Sequence, residues 1–289
     1  MKDVRKVPAS AGAEWLLGGF GLLRKAPLGL GLLGALYGVL ALVMGMSAQS
    51  NMGLFMVLEL ALVLAGPLLL GGFVFAARSV DGGGKAEPGQ LLQGVRSGRT
   101  ARLLATLLPQ VVALLLCALL LVLMVGPAAL AQMAQAVEQA GAQAKPDPAL
   151  FAALPLARLM LWFLLVLVIG IVASFFTFVA TPEIMFTDSG ALQAMQRSFR
   201  ACMRNLSALV VFLVLLVIAV IAIYIAIMIV GVVAKLVLGE MAMQVVVQVL
   251  AMAIFMPVVT GAMYFAWKQM LAGGSDAIAA APAATGFEA

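Results

Sequence analysis

Glu59 lies in an apolar run, Phe55-Met56-Val57-Leu58-Glu59-Leu60-Ala61. A carboxylate at the centre of a membrane helix costs about 2.5–3.5 kcal/mol to insert, so it is either functional or paired. It stands about six residues inside its apolar span, a depth of roughly 9 Å at the helical rise. The chemistry it could serve is a proton or cation site within a helix bundle. The alternative is an ion pair that fixes helix register, with Arg158 or Lys235 as the cation. Glu240, Gln244 and Gln248 recur every four residues and share one helix face. With Glu59 they could line a wet cavity. Otherwise their amides bond to neighbouring helices, each contact contributing about 1–2 kcal/mol or less.

Other chemistries lack residues. There is no histidine, which removes the commonest general base and metal ligand. Cys117 and Cys202 are the only cysteines, and no Cys/His cluster has metal-ligand spacing. Gly82-Gly83-Gly84-Lys85 lacks the hydroxyl residue and strand-to-helix context of a phosphate loop. Glu183 and Asp188 follow Pro182 and are two acids that an enzyme could use; read plainly, they are helix-end acids in water. The chain is therefore expected to be no enzyme and to carry no cofactor or metal.

The cations form short clusters. Three segments each place a small residue, an apolar residue and basic residues ahead of a long apolar run. They are Gly19-Phe20-Gly21-Leu22-Leu23-Arg24-Lys25, Gly94-Val95-Arg96-Ser97-Gly98-Arg99-Thr100 and Ser198-Phe199-Arg200-Ala201-Cys202-Met203-Arg204. In the third, Leu192, Met195, Phe199, Cys202 and Leu206 fall on one helical face, with Arg197, Arg200 and Arg204 elsewhere. Trp15, Leu16, Gly19, Phe20 and Leu23 make a similar stripe ahead of the first run. Such helices can lie at a membrane surface, apolar face in acyl chains and basic side chains among phosphates. Arg24, Lys25, Arg96, Arg99, Arg197, Arg200 and Arg204 are thus candidates for anionic lipid headgroups, or simply the positive flanks that set topology.

The elements that position these residues follow from composition. The chain of 289 residues is 65% hydrophobic and only 10% charged, against roughly a quarter charged in soluble domains. Six apolar runs reach the length of about 20 residues that a span needs, at about 27–46, 53–77, 103–126, 156–181, 207–234 and 241–267. Pro67, Gly71 and Arg78 repeat the offsets of Pro257, Gly261 and Lys268. The fold expected is all-α: a polytopic membrane protein of six transmembrane helices, arranged as three helix-hairpin repeats with cytoplasmic interfacial segments. Residues 1–26 form the cytoplasmic N-terminus, 27–268 the transmembrane domain and 269–289 a flexible tail. The first apolar run exceeds a signal-peptide core of about 7–15 residues, so it reads as an uncleaved anchor. A short helix is expected in the connection after span three, from Ala128 to Ala144, broken by Lys145-Pro146-Asp147-Pro148.

Of the 17 Lys and Arg residues, only Lys145, Arg158 and Lys235 fall on one side of these spans. The positive-inside rule places the other side, with both termini, in the cytoplasm. The net charge of +5 lies in these flanks rather than in a continuous patch, so nucleic acid is not an expected partner.

Ala13-Glu14-Trp15-Leu16-Leu17-Gly18-Gly19-Phe20-Gly21-Leu22-Leu23-Arg24-Lys25-Ala26-Pro27 resembles the opening of a group of uncharacterised six-span inner-membrane proteins of proteobacteria. Ser198-Phe199-Arg200-Ala201-Cys202-Met203-Arg204-Asn205 resembles their later repeat. That group is similar to the membrane domain of glycerophosphoryl diester phosphodiesterases. The resemblance covers about residues 5–270 and does not include the soluble catalytic domain, so it implies location and fold but no activity and no site residues. It also suggests phospholipid or envelope biology. The expected function is that of a non-enzymatic bacterial inner-membrane protein that binds lipid or organises envelope partners. Its partners would be membrane lipids, anionic phospholipid among them, and a membrane protein or further copies of itself. The alternative is a small-solute or ion transporter or channel using Glu59 and the Glu240/Gln244/Gln248 stripe.

Overall fold

The computed structural model describes residues 4–141 and 155–272, and every described element is helical. Six helical stretches are long and apolar enough to cross a membrane: Pro27–Ala48, Met52–Asp81, Thr100–Val125, Leu156–Phe186, Leu206–Leu238 and Glu240–Met270. The all-α polytopic fold is therefore as the apolar runs predict. Lys2, Lys145 and residues 273–289 of the tail lie outside the described residues.

The chain divides into two compact units, 1–106 with 176–289, and 107–175. In the first, α1 (Ala11–Lys25) leads into α2 (Pro27–Ser50) and α3 (Met52–Asp81). Asn51 separates the last two, and its side chain accepts from the Leu54 backbone N–H at 3.0 Å, an N-cap that starts α3. A 3-10 turn (Pro88–Leu92) and the short helices α4 (Gln93–Arg96) and α5 (Thr100–Leu104) follow. The second unit contains α6 (Leu108–Val125), α7 (Pro127–Gly141) and most of α8 (Leu156–Thr177). Within it the indole of Trp162 donates to the Cys117 carbonyl at 2.9 Å. α7 is the helix expected after span three. The chain then returns to the first unit as α9 (Ala180–Phe186), α10 (Ala191–Arg204), α11 (Leu206–Leu238) and α12 (Glu240–Met270). Gly239, at φ 93°, makes the left-handed turn between α11 and α12.

Helices lead the first and third apolar pairs as the stripes predict, but protein covers part of each apolar face, while Leu192 and Leu206 of the third stripe stay exposed. On α1, Trp15, Leu16, Gly19 and Leu22 are buried. A Cβ on Gly12 would stand 2.1 Å from the Ala208 carbonyl of α11, and one on Gly19 would stand 2.2 Å from the Val258 carbonyl of α12. The glycines let α1 press against two helix backbones, and protein covers Trp15, Leu16 and Gly19 of the stripe that sequence assigns to lipid, leaving Phe20 and Leu23 half-buried. On α10, Ala194 and Met195 join Leu103, Ala180, Ile184 and Met185 in a buried cluster. The middle leader is broken into short pieces rather than one helix, consistent with Gly94 and Gly98 inside it. Gly34 and Gly38 work as close-packing residues: their missing side chains admit Met252, Ala253 and Val249 of α12 against α2. On α8, by contrast, a Cβ on Gly170 would meet nothing within 4 Å.

The N-terminal segment is also tied down. Asn205, 1% exposed, accepts from the Val7 backbone N–H at 2.8 Å and donates to the Arg5 carbonyl at 2.9 Å. The Arg5 backbone N–H reaches the Met270 carbonyl at 3.0 Å.

Candidate functional site

The densest polar arrangement in the first unit surrounds Glu183, a residue sequence reasoning took for a solvated helix-end acid. It is 1% exposed. α9 is short and starts just after the Val179 turn, which carries Glu183 inward between α10 and α12. Arg197 of α10 forms an ion pair with its Oε1. Ser189 Oγ donates to the same oxygen at 3.1 Å and Thr187 Oγ1 at 3.3 Å. The Trp267 indole donates to Oε2 at 2.7 Å. Both oxygens are engaged, so the buried carboxylate is a tie among three helices. A buried ion pair of this kind holds a specific geometry even where its net stabilisation is small.

Arg99 extends the arrangement. Its guanidinium donates to the Ile184 carbonyl and, at 2.9 Å, to the Thr187 carbonyl at the C-terminus of α9. Asp188 lies 3.8 Å from it and is fully exposed. Arg99 thus satisfies carbonyls that a helix end leaves open.

A second cluster joins α3 to α12. Lys268 Nζ is 2.9 Å from Asp81 Oδ2, and Tyr264 Oη donates to the same oxygen at 2.9 Å. The Arg78 guanidinium sits over the Phe186 ring, 4.6 Å from its centroid. Arg78 and Lys268 occupy matching offsets after Pro67 and Pro257, and both line one cavity of about 80 Å³ with Tyr264 and Trp267. Sequence reasoning noticed the matched offsets but did not place these two cations at a site. The two prolines set in register were the signal that could have found them.

The seven headgroup candidates separate into two groups. Arg99 and Arg197 turn inward, bound to α9, and are corrected from membrane-facing cations to fold-holding ones. Arg24, Lys25, Arg96, Arg200 and Arg204 are exposed, with no acidic partner among the described residues. Cys202, also in the third leader, is buried with a free thiol, and burial pushes that thiol up to about 12 from 9.0.

At the opposite end of the first unit, Glu240, Gln244 and Gln248 do line a cavity, of about 410 Å³, between α2, α11 and α12. Glu59 is not in it. It is exposed on α3 and has no ion-pair partner among the described residues. Lys235, one of its two expected partners, pairs instead with Glu240 across the Gly239 turn, because five residues of chain bring the two together. Arg158 is exposed in the second unit. No group of three or more His, Cys, Asp or Glu residues that could hold a metal occurs among the described residues. No family model, curated protein or solved structure matches this chain.

Proposed function

We propose that this chain is a non-enzymatic, multi-pass protein of the bacterial inner membrane that binds anionic phospholipid at its basic end and there organises envelope partners. The observation that carries this reading is the division of labour among the cations. Arg99 and Arg197 serve the fold, while Arg24, Lys25, Arg96, Arg200 and Arg204 are exposed and lack acidic partners among the described residues. Unpaired cations at a membrane flank find their counter-charge in anionic headgroups, each contributing about 1 kcal/mol. Arg78 and Lys268 beside Tyr264 and Trp267 add a small basic and aromatic pocket at the same end. The acids nearby favour binding over catalysis, since Glu183 is buried with a partner on each oxygen and Asp81 is held by Lys268 and Tyr264.

The test is native mass spectrometry of protein released gently from its membrane, with bound lipid identified. Arg24→Gln, Lys25→Gln, Arg200→Gln and Arg204→Gln are combined, leaving Arg99 and Arg197 intact so that folding is preserved. Four cations at about 1 kcal/mol each predict a loss of anionic-lipid affinity of two to three orders of magnitude. Undiminished retention of anionic phospholipid by that variant would overturn the reading.

A further inference from the structure

The cavity between α2, α11 and α12 has a chemistry of its own, and its reading does not depend on the lipid proposal. Its walls come from three helices. Met46 of α2, Met228 of α11 and Met243 of α12 supply polarizable thioethers, and Tyr224 supplies an aromatic ring. Glu240 and Gln244 line it as exposed residues and Gln248 as a half-buried one. Two four-residue steps carry that polar ladder roughly 12 Å along the helix. The volume of about 410 Å³ falls within the range of about 300–1,000 Å³ typical of small-molecule sites.

We propose that this cavity binds a lipophilic organic cation, a quaternary ammonium or phosphonium with an apolar body, with its charge at Glu240 and its body against the methionines and Tyr224. Three features select this class. Among the described residues Glu240 is the only charged group lining the cavity, so the net charge of its wall favours a cation. Methionine side chains adapt to irregular apolar bodies, and the Tyr224 ring adds rigid apolar surface for one. The present occupant of the carboxylate is a tethered ammonium, that of Lys235. That pair is half exposed, at 50% and 59%, and an exposed pair contributes only about 0–1 kcal/mol. An incoming cation can therefore displace Lys235 at little cost, and the freed ammonium returns to water.

Gly45 gives an independent handle. It lines the cavity, and a Cβ there would meet nothing within 4 Å. Position 45 therefore has room at its Cβ for a side chain that enters the cavity. The experiment is equilibrium dialysis of labelled tetraphenylphosphonium against the full chain in lipid nanodiscs, with protein-free nanodiscs as the partition blank. Tetraphenylborate, of the same shape and opposite charge, serves as competitor. Expected are saturable binding near one per chain, weakened about two- to fivefold by Glu240→Gln, as an exposed ion pair allows, abolished by Gly45→Phe, retained by Lys235→Gln and not competed by tetraphenylborate. Uptake equal to the blank would overturn the proposal. So would saturable binding that survives both Glu240→Gln and Gly45→Phe, or that is lost in Lys235→Gln.

Discussion

The indole of Trp267 donates to Glu183 Oε2 at 2.7 Å, tying α12 to α9 across 84 residues of sequence. The other carboxylate oxygen holds Arg197, so one acid joins three helices of the first unit. The value of such a tie lies in what its removal leaves behind. Glu183→Gln keeps the shape but strands the buried Arg197 charge, a change that costs about 3–5 kcal/mol. Trp267→Phe removes one donor from a buried acceptor and costs about 1–3 kcal/mol. Thermal unfolding in mild detergent should rank Glu183→Gln well below Trp267→Phe, with Arg200→Gln within about 0.5 kcal/mol of the parent. Equal stability of Glu183→Gln and the parent would show that the carboxylate is not a tie.

The glycines of α1 predict opposite signs within one helix. Alanine is the better helix former by about 1 kcal/mol wherever space allows. At Gly21 a Cβ meets nothing within 4 Å, so Gly21→Ala should stabilise. At Gly12 and Gly19 it would strike backbone carbonyls at 2.1 and 2.2 Å, which cannot rotate away. Those two changes should destabilise by about 1–3 kcal/mol through overpacking. Unfolding midpoints of the three single variants decide this, and a stabilising Gly19→Ala would mean that α1 is not pressed against α12.

How far the sequence could carry a reader depends on the distance over which each interaction acts. Long apolar runs are a local signal, and span two, expected at 53–77, is found at Met52–Asp81. The added turn holds Arg78 and Asp81, polar residues that stay helical because Tyr264 and Lys268, nearly 190 residues on, receive Asp81. Glu240, Gln244 and Gln248 were legible as a stripe because helical spacing is local, and one cavity does gather them. Glu183 was not, since Arg197 is 14 residues away and Trp267 84. The same blindness mixed Arg99 and Arg197 with the free cations, as charge alone does not tell a flank from a tie. For α1 a signal was present and misread. Gly12 and Gly19 beside an apolar stripe favour contact with another backbone over contact with acyl chains, which need no such clearance.

Cys202 gives a prediction in pH. Burial raises its thiol to about 12, from 9.0 in the unfolded chain. Between these values the folded protein keeps a proton that the unfolded chain has lost. Stability referred to this group is thus complete below about pH 9 and is lost as pH rises toward 12. Cys202→Ala should remove that part of the alkaline decline, so the gap between its unfolding midpoint and the parent's should shift in its favour from pH 8 to pH 10.5. In a Cys117→Ser background, Cys202 should also resist maleimide at pH 8 until the protein is unfolded, because the thiolate is the nucleophile. Rapid native labelling would contradict its burial.

Arg99 should behave as a helix cap. Its guanidinium reaches the carbonyls of Ile184 and Thr187, two groups at the end of α9. Both bonds leave its Nη1, whose two N–H groups are held in the guanidinium plane, a geometry that an ammonium on a flexible stem reproduces less well. Bonds from a charged donor contribute about 1.5–3 kcal/mol, so Arg99→Gln should destabilise by that order, with Arg99→Lys between it and the parent. Arg102, exposed three residues later, should tolerate Gln without effect. The loss should be local before it is global. Limited proteolysis of Arg99→Gln should cut first between Thr187 and Gly190, where the chain leaves α9 and Ser189 bonds back to Glu183. Cleavage there at the parent's rate would show that α9 ends without help from Arg99.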